Sequence, residues 1–171
     1  MDNNIISGFL RKRVSLFEHL SENKMAEILN GSRVISYESN EAVVRFGEDA
    51  DFLGVVLEGK LSASVVGDRG LRTTIGNLDE GDTFGEMALM SGDKTIADLI
   101  AETHCQVLRI PVELFQSVIM TEPNAVQQLS RTVAERFKQL IADPEKAAAA
   151  FRKSADPYGL QLKAKGLRKY L

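Results

Sequence analysis

Between Arg33 and Asp82 the chain is interrupted by turn-forming clusters too closely spaced to leave room for long helices. The clusters are Glu38-Ser39-Asn40-Glu41, Gly47-Glu48-Asp49, Glu58-Gly59-Lys60, Gly67-Asp68-Arg69-Gly70 and Glu80-Gly81-Asp82. The intervening runs, among them 52–57, 61–66 and 71–78, are short and rich in strand formers such as Val34, Ile35, Tyr37, Val43, Val44 and Phe46. Regular short strands separated in this way predict a small β-sandwich or barrel, with Gly67–Gly70 at a hairpin tip. Residues 99–103 and 105–110 read as two more strands.

Helical periodicity flanks this β-rich block. Ile5, Ile6, Phe9, Leu10, Val14, Phe17 and Leu20 recur mostly at three and four residues, which predicts one amphipathic helix or two short ones. Ser21 reads as the N-cap of the next helix, with Met25, Ile28 and Leu29 on its apolar face and Gly31 as its stop. Beyond the strands, Pro111 opens a short helix and Pro123 a longer one. The longer helix carries a seam of Val126, Leu129, Val133, Phe137, Leu140 and Ile141. Asp143-Pro144 breaks it, an Ala-rich stretch predicts one further helix, and Asp156-Pro157-Tyr158-Gly159 is a turn cluster. The expected organisation is N-terminal helices over 1–31, a β-domain over 32–111, C-terminal helices over 112–142, and a short helix with a tail or linker over 143–171.

With 171 residues, 44% hydrophobic and 26% charged, the chain has the composition of a soluble globular domain. A net charge of −3 provides no overall basic field for nucleic acid, and none is expected as a partner. The single cysteine, Cys105, rules out an intramolecular disulfide and a four-thiolate metal site within one chain. No apolar run approaches 18 residues, and the N-terminus lacks the basic start and apolar stretch of a signal peptide. The expectation is a cytoplasmic protein whose chain makes no membrane contact. His19 and His104 are far apart and belong to no metal-ligand motif, and no nucleophile–base pair stands out. Neither an enzyme nor a metal cofactor is expected.

The most informative stretch is 81–98, Gly-Asp-Thr-Phe-Gly-Glu-Met-Ala-Leu-Met-Ser-Gly-Asp-Lys-Thr-Ile-Ala-Asp. It reads as a strand end, a glycine turn, a short helix beginning near Gly85, and a return loop. The first amides of a helix lack partners and lie at its positive end, which suits an anion. An ionised Glu86 beside them is an acceptor for a hydroxyl. Asp98 is an acid among apolar strand residues, either facing solvent or capping a turn, or else contacting a ligand.

Gly85-Glu86-Met87-Ala88-Leu89, preceded by Gly81-Asp82 and Phe84, closely resembles the phosphate-binding cassette of cyclic nucleotide-binding domains. The resemblance spans about residues 10–142. It implies a mainly β fold, an antiparallel β-roll of jelly-roll type with helices at both ends. It implies that the amides near Phe84, Gly85, Glu86, Met87 and Ala88 hold a cyclic phosphate and that Glu86 takes the ribose hydroxyl. The family's arginine falls on Thr95, after Lys94, and its pair of small residues becomes Ile96-Ala97. Lys94 and Thr95 would then replace that arginine, although lysine lacks its bidentate fork. A charged hydrogen bond is worth about 1.5–3 kcal/mol, or about one to two decades of affinity.

The resemblance implies a regulatory domain that senses cAMP or cGMP and passes the signal through the helix at 123–142. That helix could also form a homodimer, and an effector domain or partner protein would complete the pathway. The alternative is a degenerate fold that has lost its ligand and serves as an oligomerisation or interaction module; the substitution at Thr95 favours it.

Overall fold

The computed structural model describes residues 2–66 and 70–154. Positions 67–69 of the hairpin tip, the turn cluster at 156–159 and the basic end lie outside the described residues. The chain enters through α1 (Asn3–Arg13), capped by Asp2, whose carboxylate accepts the Asn4 N–H at 2.9 Å. After a 3-10 turn (Ser15–Phe17), the Ser21 hydroxyl oxygen accepts the Lys24 N–H and starts α2 (Glu22–Gly31). Gly31 is not a left-handed stop but the last residue of α2. Its lack of a side chain admits Leu114, since a Cβ there would lie 2.5 Å from Leu114 Cδ1.

Eight strands follow: β1 (Arg33–Tyr37), β2 (Ala42–Val44), β3 (Phe52–Glu58), β4 (Leu61–Val66), β5 (Arg72–Leu78), β6 (Thr83–Phe84), β7 (Asp98–Ala101) and β8 (Cys105–Pro111). They form two four-stranded antiparallel sheets, ordered β1-β8-β3-β6 and β2-β7-β4-β5. This is the antiparallel β-roll expected from the sequence. A helix, α3 (Glu86–Ser91), interrupts it between β6 and β7.

Strand alternation divides the core in two. Leu53, Val55 and Leu57 of β3, with Leu108 and Ile110 of β8, pack against Leu10, Phe17, Ile28 and Phe115 from the helices. The opposite faces, Val56 of β3 with Cys105 and Val107 of β8, meet Val43, Leu61, Leu78, Phe84 and Leu99 between the sheets. A strand buried on both faces explains the unbroken apolar run at 52–57.

Pro111 ends β8 and precedes α4 (Val112–Leu114), which passes into a π-helical turn (Phe115–Ile119). The long α5 (Pro123–Ala142) has its proline in the first turn and packs on the 3-10 turn and on α3. Its seam is only partly covered: Leu129 and Leu140 are buried, whereas Phe137 and Ile141 are exposed. Asp143 Oδ1 accepts the N–H groups of Glu145 and Lys146, so the chain turns directly into α6 (Pro144–Ser154). This helix folds back onto α5, β4 and β5.

Candidate functional site

A cleft of about 1310 Å³ opens between the β-roll, the segment Gly85–Ala97 and α5. It gathers all nine site residues read from the sequence: Phe84, Gly85, Glu86, Met87, Ala88, Lys94, Thr95, Ile96 and Ala97. The turn that makes this possible is Gly85, whose φ of 90° is left-handed, and a Cβ there would lie 2.8 Å from the Phe52 carbonyl oxygen. Both conditions select glycine. A second close approach seats the floor of the cleft. The Phe84 ring lies over Gly54, where a Cβ would come within 2.1 Å of the ring. Phe84 also meets Phe52 edge-on at 5.8 Å, and the Arg109 guanidinium stacks 3.7 Å from the Phe52 ring centroid.

Glu86 opens α3 and is only 1% exposed. Its carboxylate is paired with Arg136 of α5, whose Nη1 donates to Oε1. Oε2 is buried without a hydrogen-bond partner among the described residues. Burial pushes the Glu86 pKa above the usual carboxylate range; the charge of Arg136 and hydrogen bonds from the Glu86 backbone and from Arg136 pull the other way, and Asp82 adds a small upward push. Desolvation is the largest of these effects.

The return loop is engaged elsewhere. Lys94 Nζ pairs with Asp49 at 2.9 Å, with both side chains exposed. The Thr95 hydroxyl donates to the Arg45 carbonyl at 2.6 Å and accepts the Glu48 N–H at 3.1 Å. Backbone bonds from Gly47 N to Thr95 O and from Thr95 N to Glu48 O complete a clasp between this loop and the turn before β3. Asp98 caps: Oδ1 accepts the Phe46 N–H at 2.8 Å and Oδ2 pairs with Arg72 at 3.2 Å.

Sequence reasoning missed Arg136. The signal was present, because Arg136 stands seven residues after Leu129 and four before Leu140, on the buried stripe of α5. The cleft lining as a whole is acidic, with Glu48, Asp49, Asp51, Asp82, Glu86, Asp93 and Glu135 against Lys94, Arg109, Arg131 and Arg136. Arg131 is exposed and in no ion pair among the described residues. Also among the described residues, no cluster could hold a metal ion, and no helix is long and apolar enough to cross a membrane.

The chain and its fold have known counterparts. The chain is 26% identical over 110 residues to a lysophospholipase NTE1 of Phaeosphaeria nodorum, which covers 64% of this chain but 7% of that protein. It is 26% identical over 111 residues to the cAMP-activated global transcriptional regulator CRP of Salmonella typhimurium, covering 64% of this chain and 53% of the regulator. The chain thus spans a small part of the first relative and about half of the second. Among solved structures, it superposes with a TM-score of 0.68 and 20% identity on the regulatory subunit of a cAMP-independent protein kinase A from Trypanosoma brucei. That match covers 76% of this chain and 46% of the other, which is a triply substituted form bound to cAMP in its A site. At such identity the likeness establishes the fold. The model of the cyclic nucleotide-binding domain family matches residues 34–122, just over half of the chain, and the chain belongs to that family.

Proposed function

We propose that this is a regulatory domain whose cleft binds a cyclic nucleotide, cAMP or cGMP, and which reports binding through α5. The observation that carries the reading is the buried Glu86, presented at the glycine turn of the cleft and tied to α5 through Arg136. In this reading the amides opening α3 receive the phosphate and Glu86 receives the ribose hydroxyl. Ile96, Ala97 and the interior of the β-roll face the base. Lys94 remains available as a cation, since an exposed pair such as Lys94–Asp49 is worth only about 0–1 kcal/mol. The exposed Arg131 is a second cation on the wall of the cleft. Only a ligand that discriminates between two seatings of α5 can send a signal.

A second reading, a ribose ligand without phosphate, is favoured by two observations: the lining holds more carboxylates than cations, and Thr95 stands at the arginine position. The trypanosomal kinase is cAMP-independent, and its cAMP-bound form has Glu→Ala, Thr→Arg and Val→Ala replacements, the last two adjacent and seven residues beyond the first. Ala88, Thr95 and Ile96 have the same spacing here, with alanine already at the first position.

Calorimetric titration of nucleotide-stripped protein with cAMP, cGMP, adenosine and guanosine separates the readings. Micromolar binding of a cyclic nucleotide that collapses in Glu86→Ala and weakens in Lys94→Ala supports the first. Binding of a nucleoside alone supports the second. No heat with any of the four leaves a scaffold that acts through its helices.

A further inference from the structure

The cleft is larger than a small ligand needs: such pockets run to about 300–1,000 Å³, against about 1310 Å³ here. Its interior is apolar, with Ile75, Leu78, Phe84 and Leu99 in the walls, and its charge is one-sided. Arg136, Lys94 and Arg109 are paired with Glu86, Asp49 and Asp51. Among the described residues, Glu48, Asp82, Asp93 and Glu135 of the lining are in no ion pair, and Arg131 is the one lining cation left to offset them. Also among these residues, one buried acceptor bordering the cleft, Glu86 Oε2, has no donor. The complementary segment is in the same chain. Residues 160–171 hold Lys163, Lys165, Arg168 and Lys169 and no acid, interleaved with Leu160, Leu162, Leu167, Tyr170 and Leu171. The helix before them, α6, begins four residues after Leu140 of the cleft wall and packs on β4 and β5, which also supply cleft residues. Its 11 residues rise about 16 Å. Residues 155–162 can span about 26 Å, enough to return from its end to the cleft. A tether this short gives an effective concentration of about millimolar, so weak contacts suffice.

We propose that the cleft is the docking site of the chain's own basic segment, 160–171, whose cations meet Glu48, Asp82, Asp93 and Glu135 while its leucines enter the apolar interior. Complementary charge sets the register of the contact and makes it sensitive to salt. A docked segment excludes a small ligand, so the cleft is competent only in the fraction of molecules that have released it. Docking stands independently of nucleotide binding; the competition between them rests on the function proposed above.

The test uses the full, nucleotide-stripped chain. Carbodiimide joins a lysine amine to a carboxylate in contact with it, and mass spectrometry of the digest identifies the joined residues. Lys163, Lys165 or Lys169 should couple to Glu48, Asp82, Asp93 or Glu135 at low salt. The yield should fall at about 1 M salt, where the Debye length is about 3 Å. Mixing isotopically light and heavy chains separates the sources: links within one isotope support self-docking, whereas links between the two place the segment in a second copy and overturn the proposal. Links confined to carboxylates outside the cleft, or none at all, overturn it too. The second measurement compares wild type with a chain carrying Lys163→Gln, Lys165→Gln, Arg168→Gln and Lys169→Gln together. Amide hydrogen exchange should quicken in the return loop at 92–97 and in β5 of that variant, with β3 and β8 unchanged; an unchanged cleft would overturn the docking. If the segment is docked about nine-tenths of the time, the variant should bind cAMP or cGMP about tenfold more tightly than wild type. Without docking, losing four cations weakens attraction for an anion, so equal or weaker binding overturns the competition. If neither chain binds nucleotide, the function proposed above fails, while cross-linking and exchange still decide the docking.

Discussion

At Glu86 the energetics turn on one charge. A carboxylate 1% exposed would favour its neutral form, and Arg136 opposes this without fully compensating for burial. The folded protein therefore holds the Glu86 proton more tightly than the unfolded chain does. The associated stability is complete below the ordinary carboxylate pKa and is lost as pH rises through the raised value. Thermal unfolding followed from mildly acidic to neutral pH should show the effect: the midpoint of wild type relative to Glu86→Gln should fall as pH rises, whereas parallel curves would remove this account. Thr95 presents the opposite case, a small residue whose hydroxyl serves the clasp to Arg45 and Glu48 rather than the cleft. Thr95→Arg should tighten cAMP binding by about one to two decades, measured by calorimetry, because it restores a charge-assisted fork to phosphate. Gly85→Ala should destabilise the fold by about 1–2 kcal/mol from left-handed strain alone, with more from the contact with Phe52, as read by denaturant unfolding.

Among the elements, α5 and α6 are joined by a capped turn. Asp143 satisfies two orphan amides at the start of α6, and an N-cap aspartate is worth about 1 kcal/mol. Asp143→Ala should therefore raise amide hydrogen exchange across Pro144–Ser154 while leaving β3 and β8 protected, since those strands are buried on both faces. Exchange that rises uniformly would mean α6 and the β-roll unfold as one unit. The β-strands show why sequence patterning worked well here. Strand-forming residues and turn clusters are local signals, and β4 (Leu61–Val66) matches the expected run residue for residue. The two-residue β6 was too short to register as a strand of its own, because its identity comes from pairing with β3.

For the whole molecule, the family assignment and the β-roll were legible in 81–98 and in the rhythm of turns before it. So was the gathering of nine residues at one cleft, because they sit on a single continuous stretch whose glycines dictate its path. What the sequence did not show were contacts between segments far apart in the chain. Lys94 reaches Asp49, the Thr95 hydroxyl reaches Arg45, Asp98 caps Phe46, and Arg136 crosses 50 positions to Glu86. The sequence reading missed Arg136, although its spacing from Leu129 and Leu140 puts it on the buried side of α5, and spacing carries no information about which buried acid it meets. That pairing depends on where α5 crosses α3, a packing outcome settled by side-chain shape and desolvation over the whole core.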